Sequence, residues 1–348
     1  MTGIIATLGP VSSNKEMITK LHQAGVDIFR LNFAHETIET WTKVIEIIRD
    51  VEKKLGKKIQ ILLDVEGPGI RTGILKTPIA YVTGEKFKIC ITSDDSEDKS
   101  LYCDYPSLPD DVKVGGIVKI DAWLFQVKVL EKSEKYILVQ ALNDFKVGSR
   151  RHINLPGVHI KLPSFTDKDK QDVLFAIQEK LDYIALSFVR SAADMHELRN
   201  FLDDNGGKKI QIIAKIENQE GLKNISAIAE ACNIIMVARG DLWTELPVQN
   251  IPVYQANIIN ATKWANKQVI VATEMMESMM HSPEVKRSDV SDVFYAVGEW
   301  ADYVMLSWET AVGEYPVECV KMMEEVIATA EKYKKNQWRI DVRTSSPE

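Results

Sequence analysis

Eight short segments of this chain are almost continuously apolar: residues 4–8, 28–33, 59–63, 183–188, 210–216, 234–238, 269–272 and 303–306. A strand that is apolar along its whole length is buried on both faces, which is the situation of parallel strands packed under helices. The segments between them are amphipathic: 15–24, 39–55, 168–180, 195–202, 221–231, 252–266, 290–300 and 316–332. Within 39–55, Val44, Ile47, Ile48, Val51 and Leu55 recur at helical spacing. Strand–helix units in this series predict an α/β fold, a (β/α)₈ barrel over 1–73 and 154–335. An open, doubly wound sheet is the alternative that the same pattern allows.

One stretch breaks the alternation. Between residues 74 and 153 the apolar runs are short and strand-like, at 86–91, 118–120, 124–129 and 136–139. Turn-forming pieces separate them, Ser93-Asp94-Asp95-Ser96 and Gly115-Gly116 among them. This predicts a small all-β, barrel-like domain inserted after the third barrel strand. Loops that follow barrel strands surround the active-site face, so the insert is expected to sit there as a lid. Residues 336–348 read as a polar tail, frayed or extended.

Composition excludes several functions. A formal charge of −7 gives no reason to expect nucleic acid or a membrane surface as partner. No apolar stretch is long enough to span a bilayer, and the N-terminus lacks the charged leader of a signal peptide. The four cysteines are scattered without metal-type spacing and are expected to be free thiols in a reducing cytoplasm. No phosphate-binding Gly-x-x-x-x-Gly-Lys-Ser/Thr motif is present, since Gly206-Gly207-Lys208-Lys209 has the wrong spacing. None of the six histidines forms a His-Glu-x-x-His pair. Only His35, at a strand end, is a site candidate; the others read mostly as surface residues.

In a barrel, chemistry sits at the C-terminal ends of the strands. Those positions here hold Thr7; Arg30, Asn32 and His35; Asp64; Ser187; Lys215 and Glu217; Arg239 and Asp241; Thr273; and Ser307 and Glu309. Glu217 and Asp241 are hard oxygen donors suited to Mg²⁺ or Mn²⁺, although either alone could simply cap a helix. Lys215, on a strand apolar on both sides, needs an anion: an ion pair with a neighbouring acid, or a phosphoryl group. Arg30 and Arg71 suit phosphate oxygens, with surface salt bridges as the plain alternative. Gly240 allows close backbone approach, and the N–H groups opening the next helix could hold a carboxylate. Thr273 and Ser307 could bond each other and relay a proton, or serve as caps.

These residues stand in motifs that resemble the pyruvate kinase family over nearly the whole chain. The match is carried by Ile5-Ala6-Thr7-Leu8-Gly9-Pro10, Arg30-Leu31-Asn32-Phe33, Leu62-Leu63-Asp64, Gly67-Pro68, Ile70-Arg71-Thr72-Gly73 and Asn154-Leu155-Pro156-Gly157. It continues through Lys215-Ile216-Glu217-Asn218, Val237-Ala238-Arg239-Gly240-Asp241-Leu242, Ala272-Thr273, Glu277-Ser278-Met279, Leu306-Ser307 and Glu309-Thr310-Ala311. The resemblance implies a barrel with a β-rich lid after its third strand. It implies Glu217 and Asp241 as ligands of the divalent ion, and Lys215 and Arg30 on the transferred phosphoryl group. The cradle of the substrate carboxylate would be the backbone at Ala238, Arg239, Gly240 and Asp241 with Thr273, and Ser187 lies in the same substrate region. Thr273 and Ser307 would serve enolate protonation, and Arg71, His35 and Arg151 would meet the nucleotide. The implied partners are phosphoenolpyruvate, pyruvate, ADP and ATP, in the cytoplasm.

The sequence also departs from the resemblance. It ends soon after the eighth unit, so the family's C-terminal α/β domain and its sugar-phosphate control are not expected, while a homodimer through the barrel remains compatible. At the monovalent-cation site Ala34 replaces a serine, leaving Asn32, Asp64 and Val65. Gly69 carries neither the usual glutamate nor the usual lysine, and Glu66 is an acid where a base is usual, which puts K⁺ dependence in question. Glu274 stands for a glutamine. Trp308 and Trp243 stand for glycines, and Ala122-Trp123 for the Asp-Gly after Asp121. The leading expectation is phosphoryl transfer from phosphoenolpyruvate to ADP. The alternatives are a divergent enzyme acting on another enolpyruvate or 2-oxo acid through the same Mg²⁺ site, and an inactive binding paralogue.

Overall fold

The structure, a computed structural model, describes the backbone of residues 1–93, 99–121 and 123–344, and side chains through residue 335. Strands β1 (Gly3–Thr7), β2 (Val26–Asn32) and β3 (Gln60–Asp64) are followed by eight short strands of the insert. Those are β4 (Ile79–Tyr81), β5 (Lys86–Cys90), β6 (Leu101–Tyr102), β7 (Ile117–Ile120), β8 (Phe125–Lys132), β9 (Tyr136–Ala141), β10 (Phe145–Val147) and β11 (Ile153–Asn154). The series then resumes with β12 (Tyr183–Leu186), β13 (Gln211–Ile216), β14 (Ile234–Ala238), β15 (Gln268–Ala272) and β16 (Tyr303–Leu306). Strands β1, β2, β3, β12, β13, β14, β15 and β16 pair in that order, all parallel, and β16 closes onto β1. The chain is therefore a closed (β/α)₈ barrel, and the open-sheet alternative does not apply.

Side-chain period two divides each barrel strand between two cores. Ile5, Ile28, Leu62, Ala185, Ile213, Met236, Ile270 and Met305 pack together inside the barrel. Their neighbours, such as Ile4, Phe29, Leu63, Ile184, Ala214, Val237, Val271 and Val304, pack outward against the helices. The expected helices form, with capped ends. Asn14 accepts from the Met17 N–H, and a Thr166–Asp169 capping box opens Asp167–Gln178. Gly56 closes the helix Ile38–Leu55 in the left-handed conformation, at φ 66°. The single helix expected over 221–231 is two, Gln219–Lys223 and Ile225–Ala231. Asn224 breaks it by turning its amide to the Arg190 carbonyl, 2.8 Å away. The last helix, Pro316–Thr344, continues through positions read from the sequence as a frayed or extended tail. Residues 345–348 of that tail lie outside the described residues.

The insert is built on its own core, in which Tyr81 stacks on Phe87 (4.0 Å) and Phe125 (5.5 Å). Its strands form a six-stranded sheet, β11-β7-β8-β9-β5-β6, and a separate pair β10-β4, rather than one closed barrel. The edge strands β6 and β11 have two residues each, too few to pair into a ring. One helical turn, Leu108–Asp111, interrupts the β structure, with Pro109 in the first turn where no N–H is needed. Asp94, Asp95 and Ser96 of the expected turn, and Ala122, lie outside the described residues. At the neck, Ile153 N–H bonds the Ile70 carbonyl at 2.8 Å, and Ile70 and Leu155 belong to the insert's core. That core thus reaches past both positions where the sequence reading places the boundary.

Candidate active site

The inward series that fills the barrel continues into polar residues at the strand ends. Two residues past Ile5, Ile28, Leu62, Ala185, Ile213 and Met305 come Thr7, Arg30, Asp64, Ser187, Lys215 and Ser307. The periodicity that buries the apolar side chains therefore aims these into the barrel mouth. Arg30 Nε donates to Asp64 Oδ2 at 2.7 Å and Arg30 Nη1 to Thr7 Oγ1 at 3.0 Å. Lys215 Nζ lies 3.1 Å from Asp64 Oδ1 and 3.0 Å from Glu217 Oε1, and donates to Ser187 Oγ at 2.8 Å. Ser187 Oγ in turn donates to the Val65 carbonyl at 2.7 Å. Arg30, Asp64, Ser187, Lys215 and Glu217 thus form one connected network, as the sequence places them.

Charge in this network is unbalanced. Asp64 and Glu217 are each only 1% exposed, and Asp241 stands close enough to act on Lys215 and Glu217. Three carboxylates face two cations, Arg30 and Lys215. Burial pushes the Asp64 carboxyl up, but Lys215 and Arg30 together outweigh it and hold Asp64 below its usual range. Burial works against the Lys215 charge, yet Asp64 and Glu217 keep it protonated, above the ordinary lysine range. Glu217 goes the other way: burial raises it, Lys215 only partly opposes, and Asp241 adds repulsion. Its Oε2 accepts the Phe188 N–H at 2.6 Å, but its Oε1, despite the nearby Lys215, has no hydrogen bond of acceptable geometry. No hydrogen bond or ion pair from a described residue engages the Asp241 carboxylate. A buried carboxylate oxygen without a donor, beside a second free carboxylate, fits a hard divalent cation. Among the described residues no group of three or more His, Cys, Asp or Glu side chains is placed to hold a metal ion, and Asp64 is taken by Arg30 and Lys215, so Glu217 and Asp241 are the two protein ligands this site offers.

Beside the acids, two turns are locked together. The helix Arg239–Glu245 starts immediately at the end of β14. A Cβ on Gly240 would lie 2.9 Å from the Thr273 Cγ2 methyl, so glycine here makes room for Thr273. Thr273 itself has φ +77°, a strained conformation for a β-branched residue, and Glu274 follows at φ +56°. The Arg239 guanidinium turns away from the mouth and holds this turn. Its Nε donates to the Ala272 carbonyl at 3.1 Å, its Nη2 to the Thr273 carbonyl, and its Nη1 to Asp292 at 2.6 Å. The side chain therefore positions Thr273, and Arg239 leaves only its backbone facing the site. Among the described residues no hydrogen bond joins Thr273 to Ser307. The left-handed turn carries Thr273 off the strand direction, and Ser307 N–H bonds Glu309 at 2.7 Å instead.

The remaining candidates lie around the rim. Arg71, at the neck of the insert, pairs with Glu66 at 2.8 Å, and Lys168 stands 3.7 Å from the same acid. The unusual Glu66 is thus matched by two bases. Burial first, then Arg30 and Arg71, lowers the His35 imidazole below its ordinary range, and its ring lies 5.8 Å from that of Trp308. Arg151, on the insert, reaches Asp121 at 3.5 Å. The oxygens of the residual monovalent site already have protein partners: Asn32 Oδ1 accepts Ala34 N–H, Asp64 holds Arg30 and Lys215, and the Val65 carbonyl accepts Ser187. Two residues escaped the sequence reading. His152, read as surface, is half-buried at the neck, bridged to Arg71, stacked 5.7 Å from Phe188 and within the field of Asp241. Glu245 accepts the Gly157 N–H at 3.2 Å, and burial raises its carboxyl to about 7. Only the pairing of the insert's two ends could have flagged His152. Across the cleft the insert grips the helix Arg239–Glu245: Trp123 stacks on Trp243 (5.7 Å, 10°) and Lys119 Nζ donates to the Thr244 carbonyl at 2.6 Å.

Known proteins share this arrangement. The pyruvate kinase barrel-domain family matches residues 1–320. The pyruvate kinase of Sporosarcina psychrophila is 40% identical over 333 residues, covering 95% of this chain and 57% of that protein. The Geobacillus stearothermophilus pyruvate kinase is likewise 40% identical over 334 residues, with the same coverage. The crystal structure of a pyruvate kinase from Cryptosporidium parvum superposes with a TM-score of 0.93 at 38% identity, covering 100% of this chain and 72% of that one. The chain spans 57% of the length of these curated relatives. With a family match over residues 1–320, this chain belongs to the pyruvate kinase family.

Proposed function

We propose that this protein transfers the phosphoryl group of phosphoenolpyruvate to ADP, giving pyruvate and ATP, in the cytoplasm and with a divalent cation. The observation that carries the proposal is the buried Oε1 of Glu217, which meets Lys215 Nζ at 3.0 Å but accepts no hydrogen bond, beside the free carboxylate of Asp241. Glu217 and Asp241 would hold Mg²⁺ or Mn²⁺. When bound, that ion neutralises substrate oxygens, the charge that phosphoryl transfer must handle. Lys215, held charged by Asp64, supplies positive charge to the group in flight, and Arg30 stands beside it on the same carboxylate. The backbone of residues 238–241 and the positioned Thr273 hold the substrate carboxylate. Thr273 and Ser307 would deliver a proton to the enolate; with no hydrogen bond between them, a water would have to complete the relay. Arg71 and His35 face the nucleotide from the barrel, and Arg151 from the insert, which acts as the lid. We read the monovalent-cation position as taken over by internal bonds of Asn32, Asp64 and Val65, so turnover is expected without K⁺.

Pyruvate formation measured with Mg²⁺, with and without ADP and K⁺, tests the proposal. ADP-dependent pyruvate release is the expected result. Mg²⁺-dependent binding of phosphoenolpyruvate without ADP-dependent turnover would favour a divergent enzyme working through the same ion site. Loss of both would leave an inactive paralogue.

A further inference from the structure

We infer that Trp308 is a specificity-determining residue of the acceptor site, a stacking plate that selects purine over pyrimidine nucleotides. The inference rests on reading the cleft as a nucleotide-using phosphotransferase site. Trp308 begins the four-residue helix Trp308–Ala311 directly after β16, at the barrel mouth. The other three residues of that helix, Glu309, Thr310 and Ala311, are buried, while Trp308 remains 52% exposed. It therefore contributes little to the core, and its bulk stands beside His35 at the barrel mouth, where the family resemblance expects a glycine.

One edge of its indole is fixed by His35, 5.8 Å away at 55°. The other large exposed tryptophan of this rim, Trp123, has its face occupied by Trp243, whereas among the described residues no ring other than His35 contacts Trp308. The imidazole beside it lies in the field of Arg30 and Arg71, the cations placed for phosphate oxygens. A ligand whose phosphates sit at those arginines would bring its base to the indole. An open aromatic face next to phosphate-binding cations is the combination that recognises nucleotides, because every base offers a π-face to stack. A two-ring purine covers more of an indole than a one-ring pyrimidine, so the plate discriminates by size.

Equilibrium binding of ADP, GDP, CDP and UDP, each with Mg²⁺, to wild type, Trp308→Ala and Trp308→Phe tests this by calorimetry. Trp308→Ala should weaken ADP and GDP by about tenfold, the scale of one stacked base, and CDP and UDP by a clearly smaller factor. Trp308→Phe should retain most of the affinity, and phosphoenolpyruvate binding should be unchanged in both. Trp264→Ala, a control at an 88% exposed tryptophan on a barrel helix, should change none of these. The inference is overturned if Trp308→Ala binds ADP as tightly as wild type or tighter, the latter marking the indole as a plug. It is overturned equally if purines and pyrimidines weaken together. Wild-type turnover with ADP alongside an unaffected Trp308→Ala would sink the inference alone. A wild type that binds no nucleoside diphosphate would sink the functional reading and the inference with it.

Discussion

Lys215 and Glu217 sit two residues apart on one strand and respond to burial in opposite ways. Lys215 has two acids within 3.1 Å and stays charged; Glu217 shares that lysine and faces Asp241 as well. Removing the lysine should therefore harm catalysis more than ion binding. Lys215→Ala is expected to lower pyruvate formation by roughly a hundredfold or more, while Mg²⁺ affinity measured by calorimetry holds or improves. It should also cost about 3 kcal/mol of stability, because Asp64 and Glu217 lose their shared cation. Retained turnover would overturn the role given to Lys215. Glu245 makes a separate prediction. Its folded-state carboxyl is raised to about 7, above its unfolded value, so its contribution is full at low pH and is lost as pH rises through 7. Glu245→Gln should melt with wild type near pH 5 and become relatively more stable by about 1–2 kcal/mol above pH 7. A melting difference that does not vary with pH would refute this. Such residue types at strand ends were legible in the sequence. The donorless Glu217 oxygen and the raised Glu245 were not, because both depend on burial by segments distant in the chain.

Among the elements, the helix Arg239–Glu245 joins the most functions. Its first residues face the acid pair, Arg239 reaches back to fix the Thr273 turn, and its last three residues meet the insert. The Arg239 guanidinium has its partners in the carbonyls of residues 272 and 273 and in Asp292, so Arg239 can offer the site only its backbone. Arg239→Lys cannot reproduce that fork. It should raise the KM for phosphoenolpyruvate several-fold with the fold intact, and an unchanged KM would show that Thr273 keeps its position without it. The contact of Trp123 with Trp243 bears on how the insert rests. Trp123→Ala should free the insert, seen as faster protease cleavage at the neck and a raised KM for both substrates. An unaltered cleavage pattern would show that Lys119 and Gly157 suffice.

On the scale of the whole molecule, two cores meet at a narrow neck. Ile153 bonds Ile70, so the chain leaves and re-enters the barrel at adjacent points, and the insert's core takes Ile70 and Leu155 with it. Replacing residues 70–155 by a short Gly-Ser link should leave a cooperatively unfolding barrel without turnover. Cutting instead at 74 and 153 strands Ile70 and Leu155 in water and should give a less soluble product, checked by circular dichroism and sedimentation. If neither version folds, the two cores are one cooperative unit. The sequence by itself determined the series of strand–helix units, because doubly buried strands and amphipathic helices leave a periodic trace at short range; the pairing of β16 with β1 decided that they close into a barrel. The sequence also determined which side chains point into the mouth, because period two carries the inward series past the last apolar residue. Only the tertiary structure decided which acids meet Lys215, where Arg239 makes its hydrogen bonds, and that His152 lies beside Arg71 at the neck. Each of these depends on burial and on partners brought together by closure of the barrel and the return of the insert, and no local pattern in the chain encodes them.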